Sequence, residues 1–191
     1  MALETLSPVR ARRFSVSEYH QMLVAGILDE DDRVELIDGE VVQMSPIGSR
    51  HAACVDRLIA LLFADLSGQV QVRVQAPIVL NDQSEPEPDV VLLRPRANAY
   101  ADAHPGPDAV LLVVEVADVS LEYDRTVKLP RYAMAEIPEV WIIDLQTACV
   151  DVYRNPEAGR YQTRLHFGRG VSFAPAAFPH VRLAVDAMLP V

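Results

Sequence analysis

Three carboxylates lie in or beside apolar strand segments, which normally exclude charge, and one lysine lies in the helix predicted to follow the last of them. Asp89 opens the run DVVLL, and Glu115 is embedded in LLVVEVA near the end of the most apolar segment. Glu35 lies within VELI, and Lys128 lies in the helix predicted to follow Glu115. A buried charge costs several kcal/mol unless it is paired or binds a metal, so these residues are candidates for a shared site.

Convergent carboxylates of this kind suit Mg²⁺, which uses hard oxygen ligands and keeps several waters. If the strands that carry Asp89 and Glu115 are neighbours, both side chains reach one end of a sheet. A metal held there would activate water and neutralise charge on phosphoryl oxygens, and Lys128 would stabilise the charge that develops. This combination is typical of phosphodiester hydrolysis, in which Mn²⁺ can replace Mg²⁺.

Each residue taken alone also has a simpler interpretation. Asp89 fits a solvated loop acid before a strand, and Glu35 fits an edge strand that faces solvent. Glu115 fits a structural salt bridge with Lys128 or an arginine, and Lys128 fits a surface position on its helix. Only their joint occurrence favours a shared site.

Other charged and aromatic residues in the same segments are predicted to do no chemistry. Glu85 and Glu87 are expected to be solvated acids in a proline-rich loop. Asp124 and Arg125 are expected to start a helix by capping and surface pairing, and Tyr132 is expected to pack.

The hydrophobic pattern predicts the elements that would position these groups. Asp38-Gly39 between two apolar runs is a strong hairpin signal, and Pro130 should make its helix irregular. We predict helices at 15–23, 49–66 and 120–137, strands at 33–37, 40–44, 69–80, 89–94, 109–117 and 138–145, then an antiparallel pair with its turn near 155–159, a short strand at 171–173 and a loose tail at 179–189.

These elements predict a mixed sheet with helices on its faces, in an α/β (α+β) arrangement. The 191 residues fit one domain, over 14–191, preceded by a flexible arm at 1–13. The sequence has no apolar run of membrane-spanning length and no signal-peptide pattern, so we expect a cytoplasmic protein. The two cysteines, Cys54 and Cys149, have neither zinc nor redox spacing.

The net charge of −10 argues against tight nonspecific binding of DNA by the whole surface. It is compatible with a local basic groove and with acids gathered around a metal ion. Six arginines are candidates for contacts with a phosphate backbone: Arg10, Arg12, Arg13, Arg50, Arg73 and Arg131.

Taken in order, the segments PEPDVVLL, VVEVA, YDRTVKLPRYA and PEVWIIDL resemble the Uma-type family of putative restriction endonucleases, within the PD-(D/E)XK nuclease superfamily. VELIDGEVVQMSP is similar to the opening hairpin of that family, and the resemblance covers most of the chain. It implies a restriction-endonuclease-like mixed sheet flanked by helices, with an N-terminal hairpin and C-terminal antiparallel strands.

The resemblance places Pro88-Asp89 at the PD position and Glu115 at the following acid position. Ala117 stands where the superfamily has its lysine, which is a departure from the general motif. The family resemblance places that lysine on the next helix, at Lys128, where it can act only if the helix packs its ammonium within reach.

The resemblance also implies a role for Glu35 as an additional acid, and for His51 and Gln75 as supporting polar residues. It implies an endonuclease that cleaves DNA with Mg²⁺ held by Asp89 and Glu115, and a homodimer. The alternative left open is a non-catalytic module of the same fold that binds nucleic acid or a protein.

Overall fold

A computed structural model of the chain describes residues 11–29 and 31–190. Most of the predicted N-terminal arm, at 1–10, lies outside the described residues, so the division into an arm and one domain stays a prediction. No helix within the described ranges is long and apolar enough to cross a membrane.

The N-terminal elements follow local sequence signals. Helix α1 (Val16–Val24) begins with a capping box, in which the Ser15 hydroxyl accepts from the Glu18 backbone and the Glu18 carboxylate accepts from the Ser15 backbone. Strands β1 (Val34–Ile37) and β2 (Glu40–Gln43) form the predicted hairpin. Gly39 has φ +76°, and a Cβ there would lie 2.7 Å from the Arg13 Cβ, so the turn requires glycine.

Helix α2 (Ser49–Leu66) matches its predicted bounds, and it leads into a six-stranded sheet. The spatial order of the strands is β3-β4-β5-β6-β7-β8. Only β5 and β6 are parallel, and the other neighbours are antiparallel. The strands are β3 (Gln71–Val74), β4 (Val90–Leu93), β5 (Val110–Ala117), β6 (Glu139–Asp144), β7 (Cys149–Glu157) and β8 (Arg160–Phe167).

A helical segment at 121–134 crosses back over the sheet between β5 and β6. It consists of α3 (Leu121–Tyr123), a π-helical turn (Asp124–Lys128) and α4 (Leu129–Met134). After β8 come a small pair, β9 (Ser172–Phe173) and β10 (Leu183–Ala184), and helix α5 (Val185–Met188). The mixed sheet flanked by helices confirms the predicted fold class.

The central strands of the sheet, β4 to β6, are buried on both faces, which explains why β5 is almost wholly apolar. Val114 and Val116 belong to the core under α2 and α5, whereas Val113 and Ala117 belong to the core that contains Tyr132 of α4. Side chains alternate along a strand, so Glu115 points to the same face as Val113 and Ala117.

Three predicted elements differ from the structure. Strand 69–80 ends at Val74, because Gln75 adopts a left-handed φ of 45° that breaks the ladder. The predicted helix at 120–137 ends at Met134 and contains the π-helical turn just before Pro130, which has no N–H for an α-helical bond. The tail predicted to be loose forms α5, which buries Val185 and Met188.

Candidate active site

Asp89 and Glu115 face each other across two neighbouring strands. The antiparallel register pairs Val90 with Val114, so Asp89, just before β4, lies opposite Glu115. The Val116 backbone N–H donates to Asp89 Oδ2 at 2.7 Å, which ties the loop acid to the strand that carries Glu115. The two strands are therefore neighbours, as a shared site requires.

Glu115 is held by two partners on one of its oxygens. Its side chain is almost fully buried, with 3% of the residue exposed. The Tyr132 hydroxyl donates to Oε1 at 2.5 Å, and the Lys128 ammonium lies 2.9 Å from the same oxygen. Both contacts fall on Oε1, which leaves Oε2 free of these two partners.

Lys128 lies between two acids rather than on the surface. Its Nζ is 2.9 Å from Glu115 Oε1 and 3.2 Å from Glu35 Oε2, and 5% of the residue is exposed. The interpretation of Lys128 as a surface lysine is therefore wrong. The predicted packing of the helix over the sheet brings the ammonium within reach of Glu115.

The π-helical turn explains how one helical segment directs several groups at the sheet. Asp124, Lys128 and Tyr132 are spaced four residues apart, and all three are buried. In a regular α-helix of 3.6 residues per turn, positions spaced by four drift around the axis by about 40° per step. The wider π-helical turn at 124–128 opposes that drift and keeps the three side chains on one face.

Glu35 enters the site from the N-terminal hairpin. Its Oε2 accepts the Glu87 backbone N–H at 3.1 Å, and its Oε1 lies 3.3 Å from the donating Tyr123 hydroxyl. The hairpin is fixed to the proline-rich loop by backbone bonds between Leu36 and Glu85. Glu35 is buried, so the interpretation of a solvent-facing strand acid is wrong.

His51 and Gln75 both contact Asp89, but in different ways. His51 Nε2 lies 2.9 Å from Asp89 Oδ1, and this hydrogen bond raises the pKa of His51 against burial, which lowers it. Gln75 donates its backbone N–H to the Asp89 carbonyl at 3.0 Å. Both residues line the same cleft as Asp89 and Glu115.

The site holds more acids than internal cations. Burial raises the pKa of Glu115 to about 8, with Asp124 and Asp89 adding to the shift and Lys128 opposing it. Burial alone would lower the pKa of Lys128, but Glu115, Glu35 and Asp124 raise it above its ordinary value. Lys128 therefore stays charged, and near neutral pH Glu115 holds a proton that an incoming divalent ion would displace.

The sequence-based interpretation missed three acids. Asp124 was expected to cap a helix, but it is buried, accepts from the Ser120 hydroxyl at 2.7 Å and lines the cleft. Glu87 is half-buried in the cleft, and burial, reinforced by Glu35, raises its pKa. Glu85 is buried beside His20, so its solvated interpretation is wrong. In the sequence, the four-residue spacing from Asp124 to Lys128 was the one signal that could have placed Asp124 beside Lys128.

A cleft of about 520 Å³ connects this cluster to solvent. Its walls include the loop at 43–48 and the start of the segment after β5, and Arg33 lies among its lining residues. Two carboxylates, Asp89 and Glu115, face this space with hard oxygens, which fits the one or two protein carboxylates that Mg²⁺ uses. Within 11–29 and 31–190, no group of three or more His, Cys, Asp or Glu side chains is arranged to hold a metal ion.

Most of the arginines considered for phosphate contacts have partners within the protein. Arg12 pairs with Glu18, Arg13 with Glu40 and Arg131 with Asp38. Arg73 donates to the carbonyls of Ala99 and Tyr100, and Arg50 donates to that of Leu145. Arg10 lies outside the described residues. Arg33, which was not singled out, lines the cleft, where it also donates to the Ser45 carbonyl at 3.3 Å.

Comparisons with known proteins agree with this fold. A family model described as Uma2, putative restriction endonuclease, matches residues 16–186. A crystal structure of a putative nuclease belonging to DUF820 from Anabaena variabilis is similar, with a TM-score of 0.72 and 16% sequence identity. The alignment covers 92% of this chain and 97% of that one. No curated protein matches the sequence.

Proposed function

The chain belongs to the Uma2 family of putative restriction endonucleases, and from this membership we propose that it is a Mg²⁺-dependent endonuclease that hydrolyses phosphodiester bonds in DNA. The observation that carries the proposal is the convergence of Asp89, Glu115 and Lys128 in one cleft, although they come from three separate elements. A purely structural salt bridge between Glu115 and Lys128 would not need Asp89 opposite it or an opening to solvent.

Asp89 and Glu115 would hold the metal: Glu115 Oε2 is free of the two partners on Oε1, and each Asp89 oxygen keeps a lone pair beside its one hydrogen bond. A bound Mg²⁺ would supply a Lewis acid that polarises water and neutralises phosphoryl charge. His51 and the Val116 N–H fix the orientation of the Asp89 carboxylate. Partners of this kind orient a metal ligand before the ion binds.

Lys128 would supply the positive charge that the superfamily's lysine supplies. Its ammonium is desolvated and lines the cleft, so its charge acts at low effective dielectric on any phosphoryl group that enters. Glu35 pairs with Lys128 at 3.2 Å and would help to orient its ammonium. Glu35 thus assists through the lysine.

Binding of DNA would be weak without a cation. The net charge of −10 and the internal pairing of most candidate arginines leave little positive surface for the phosphate backbone. Arg33 and the bound metal ion would therefore provide much of the local attraction, so metal and substrate would reinforce each other's binding.

The direct test is cleavage of supercoiled plasmid with Mg²⁺ or Mn²⁺, compared with EDTA. Asp89→Asn and Glu115→Gln should each reduce cleavage to background, whereas Asp102→Asn, an exposed acid outside the cleft, should cleave as the wild type does. Cleavage that persists in the Asp89→Asn, Glu115→Gln double variant would rule out this site.

One observation favours a non-catalytic binding module as the second candidate. Lys128 already pairs with both Glu35 and Glu115, so the cluster has an internal cation. Burial raises the pKa of Glu115 to about 8, so this carboxyl holds a proton near neutral pH. A calorimetric titration in which neither Mg²⁺ nor Mn²⁺ binds, together with no cleavage of any DNA form, would support this module.

A further inference from the structure

The buried acids of the cleft form two carboxylate pairs that share Glu115. Asp89 and Glu115 make one pair, on the side of the cleft closed by His51. Glu35 and Glu115 make the other, and the Lys128 ammonium lies between them at 3.2 and 2.9 Å. The lysine therefore occupies the space between the second pair.

An ammonium and a metal ion cannot share that space. Mg²⁺ bridging Glu35 and Glu115 would need carboxylate oxygens at about 2.0–2.1 Å. Lys128 Nζ already contacts one oxygen of each acid, and the Tyr132 hydroxyl donates to the same Glu115 oxygen. A second ion could enter only if the lysine left, and its burial within the helical segment opposes that movement.

We propose that Lys128 serves as the second cation of this site, which limits the protein to one divalent ion, held by Asp89 and Glu115. This inference rests on the proposed function and adds the number of metal ions and the reason for it. The lysine neutralises Glu35 and one oxygen of Glu115, and the divalent ion neutralises Asp89 and the other oxygen. Lys128, the counterpart of the superfamily's lysine, thus acts as a positive charge that the helical segment at 121–134 holds in a fixed position.

The consequence is that removal of the ammonium creates a second cation site. Lys128→Met keeps most of the side-chain volume but leaves Glu35, Glu115 and Asp124 buried without their internal cation. An uncompensated buried acid is costly and takes up either a proton or a cation, so saturating Mn²⁺ makes a divalent ion the favourable replacement. Wild-type protein should bind one Mn²⁺, and Lys128→Met should bind two.

Two measurements count the ions: isothermal titration with Mn²⁺, and electron paramagnetic resonance of free Mn²⁺ at known protein concentration. The matched control is Arg131→Met, which removes one positive charge from the same helical segment but at a pair with Asp38 outside the cleft. This control should bind one ion. In Lys128→Met, Mn²⁺ should also raise the melting temperature more than it does in the wild type.

Glu35→Gln tests the same assignment if Lys128→Met fails to fold. Because Glu35 contacts the lysine and not the proposed ion, this variant should still bind one Mn²⁺. Loss of that ion would overturn the assignment, since Glu35 would then be a ligand.

The remaining outcomes separate this inference from the proposed function. Wild-type protein that binds two ions and cleaves DNA would overturn the inference and leave the nuclease intact, as would a folded Lys128→Met variant that binds only one ion. Wild-type protein that binds no ion and cleaves no DNA would overturn both.

Discussion

Replacing Tyr132 with phenylalanine removes the hydroxyl that donates to Glu115 Oε1 at 2.5 Å and leaves the buried ring in place. A hydrogen bond to a charged group contributes about 1.5–3 kcal/mol to stability. Lys128 remains on the same oxygen, so we expect a loss near the lower end, about 1.5 kcal/mol. Guanidinium denaturation without divalent ions, at about pH 9 where Glu115 is ionised, measures this loss.

The same change should weaken metal binding, because Tyr132 orients a proposed ligand. Loss of a partner that orients a metal ligand typically reduces affinity by about 10–100-fold, and we expect about tenfold here because Lys128 still holds Oε1. The Tyr132 hydrogen bond also lowers the pKa of Glu115. Its loss should raise that pKa. A metal ion binds the ionised carboxylate, so the pH at which Mn²⁺ affinity begins to rise should be higher in this variant than in the wild type.

Tyr161→Phe is the matched control, because it removes a tyrosine hydroxyl that donates to the neutral Ile137 carbonyl at 2.8 Å, away from the cleft. It should cost about 1 kcal/mol of stability and leave Mn²⁺ affinity unchanged at every pH. Isothermal titration between about pH 6.5 and 9 compares the two variants. Wild-type affinity and pH dependence in Tyr132→Phe would refute the orienting role of this hydroxyl.

Three further predictions concern the scaffold. Asp151 is fully buried and pairs with Arg125, Arg164 and His166. Burial raises the pKa of Asp151, but these three partners together hold it below its usual range. The ionised Asp151 therefore stabilises the fold above its unfolded pKa of about 3.9, and this stabilisation is lost as the pH falls through the folded pKa. Asp151→Asn should cost about 2–3 kcal/mol near neutral pH, and thermal melts should show the difference from wild type shrinking toward pH 3; a constant difference would contradict this account. Leu58→Ala, in the core under α2, should cost about 2–5 kcal/mol in denaturant titrations, and an unchanged midpoint would be inconsistent with this packing. Gln75→Ala should be less stable than Gln75→Gly by about 1 kcal/mol because φ is 45°, and equal stabilities would argue against the left-handed backbone.

Local signals predicted the elements that depend on near neighbours. The Asp38-Gly39 turn and the apolar alternation around it specified the hairpin, and the helical spacing of Val55, Leu58 and Leu62 specified α2. Alternation continued past Val74 in the sequence, but the left-handed Gln75 ended β3 there. The C-terminal tail lacked a long periodic pattern, and α5 is stabilised by burial of Val185 and Met188.

By itself, the sequence determined that acids interrupt apolar strands and that their order along the chain matches a nuclease family. It therefore predicted the fold class and a shared location for Asp89, Glu115 and Lys128. Only the tertiary structure decided which oxygen each partner occupies, and that Asp124 and Glu87 join the cleft. The physical reason is that desolvation and ion pairing depend on distances between groups far apart in sequence. The π-helical turn and the β4–β5 register set those distances. Pro130 signalled an irregular helix but not a π-helical turn, and the register between two strands has no local sequence signal.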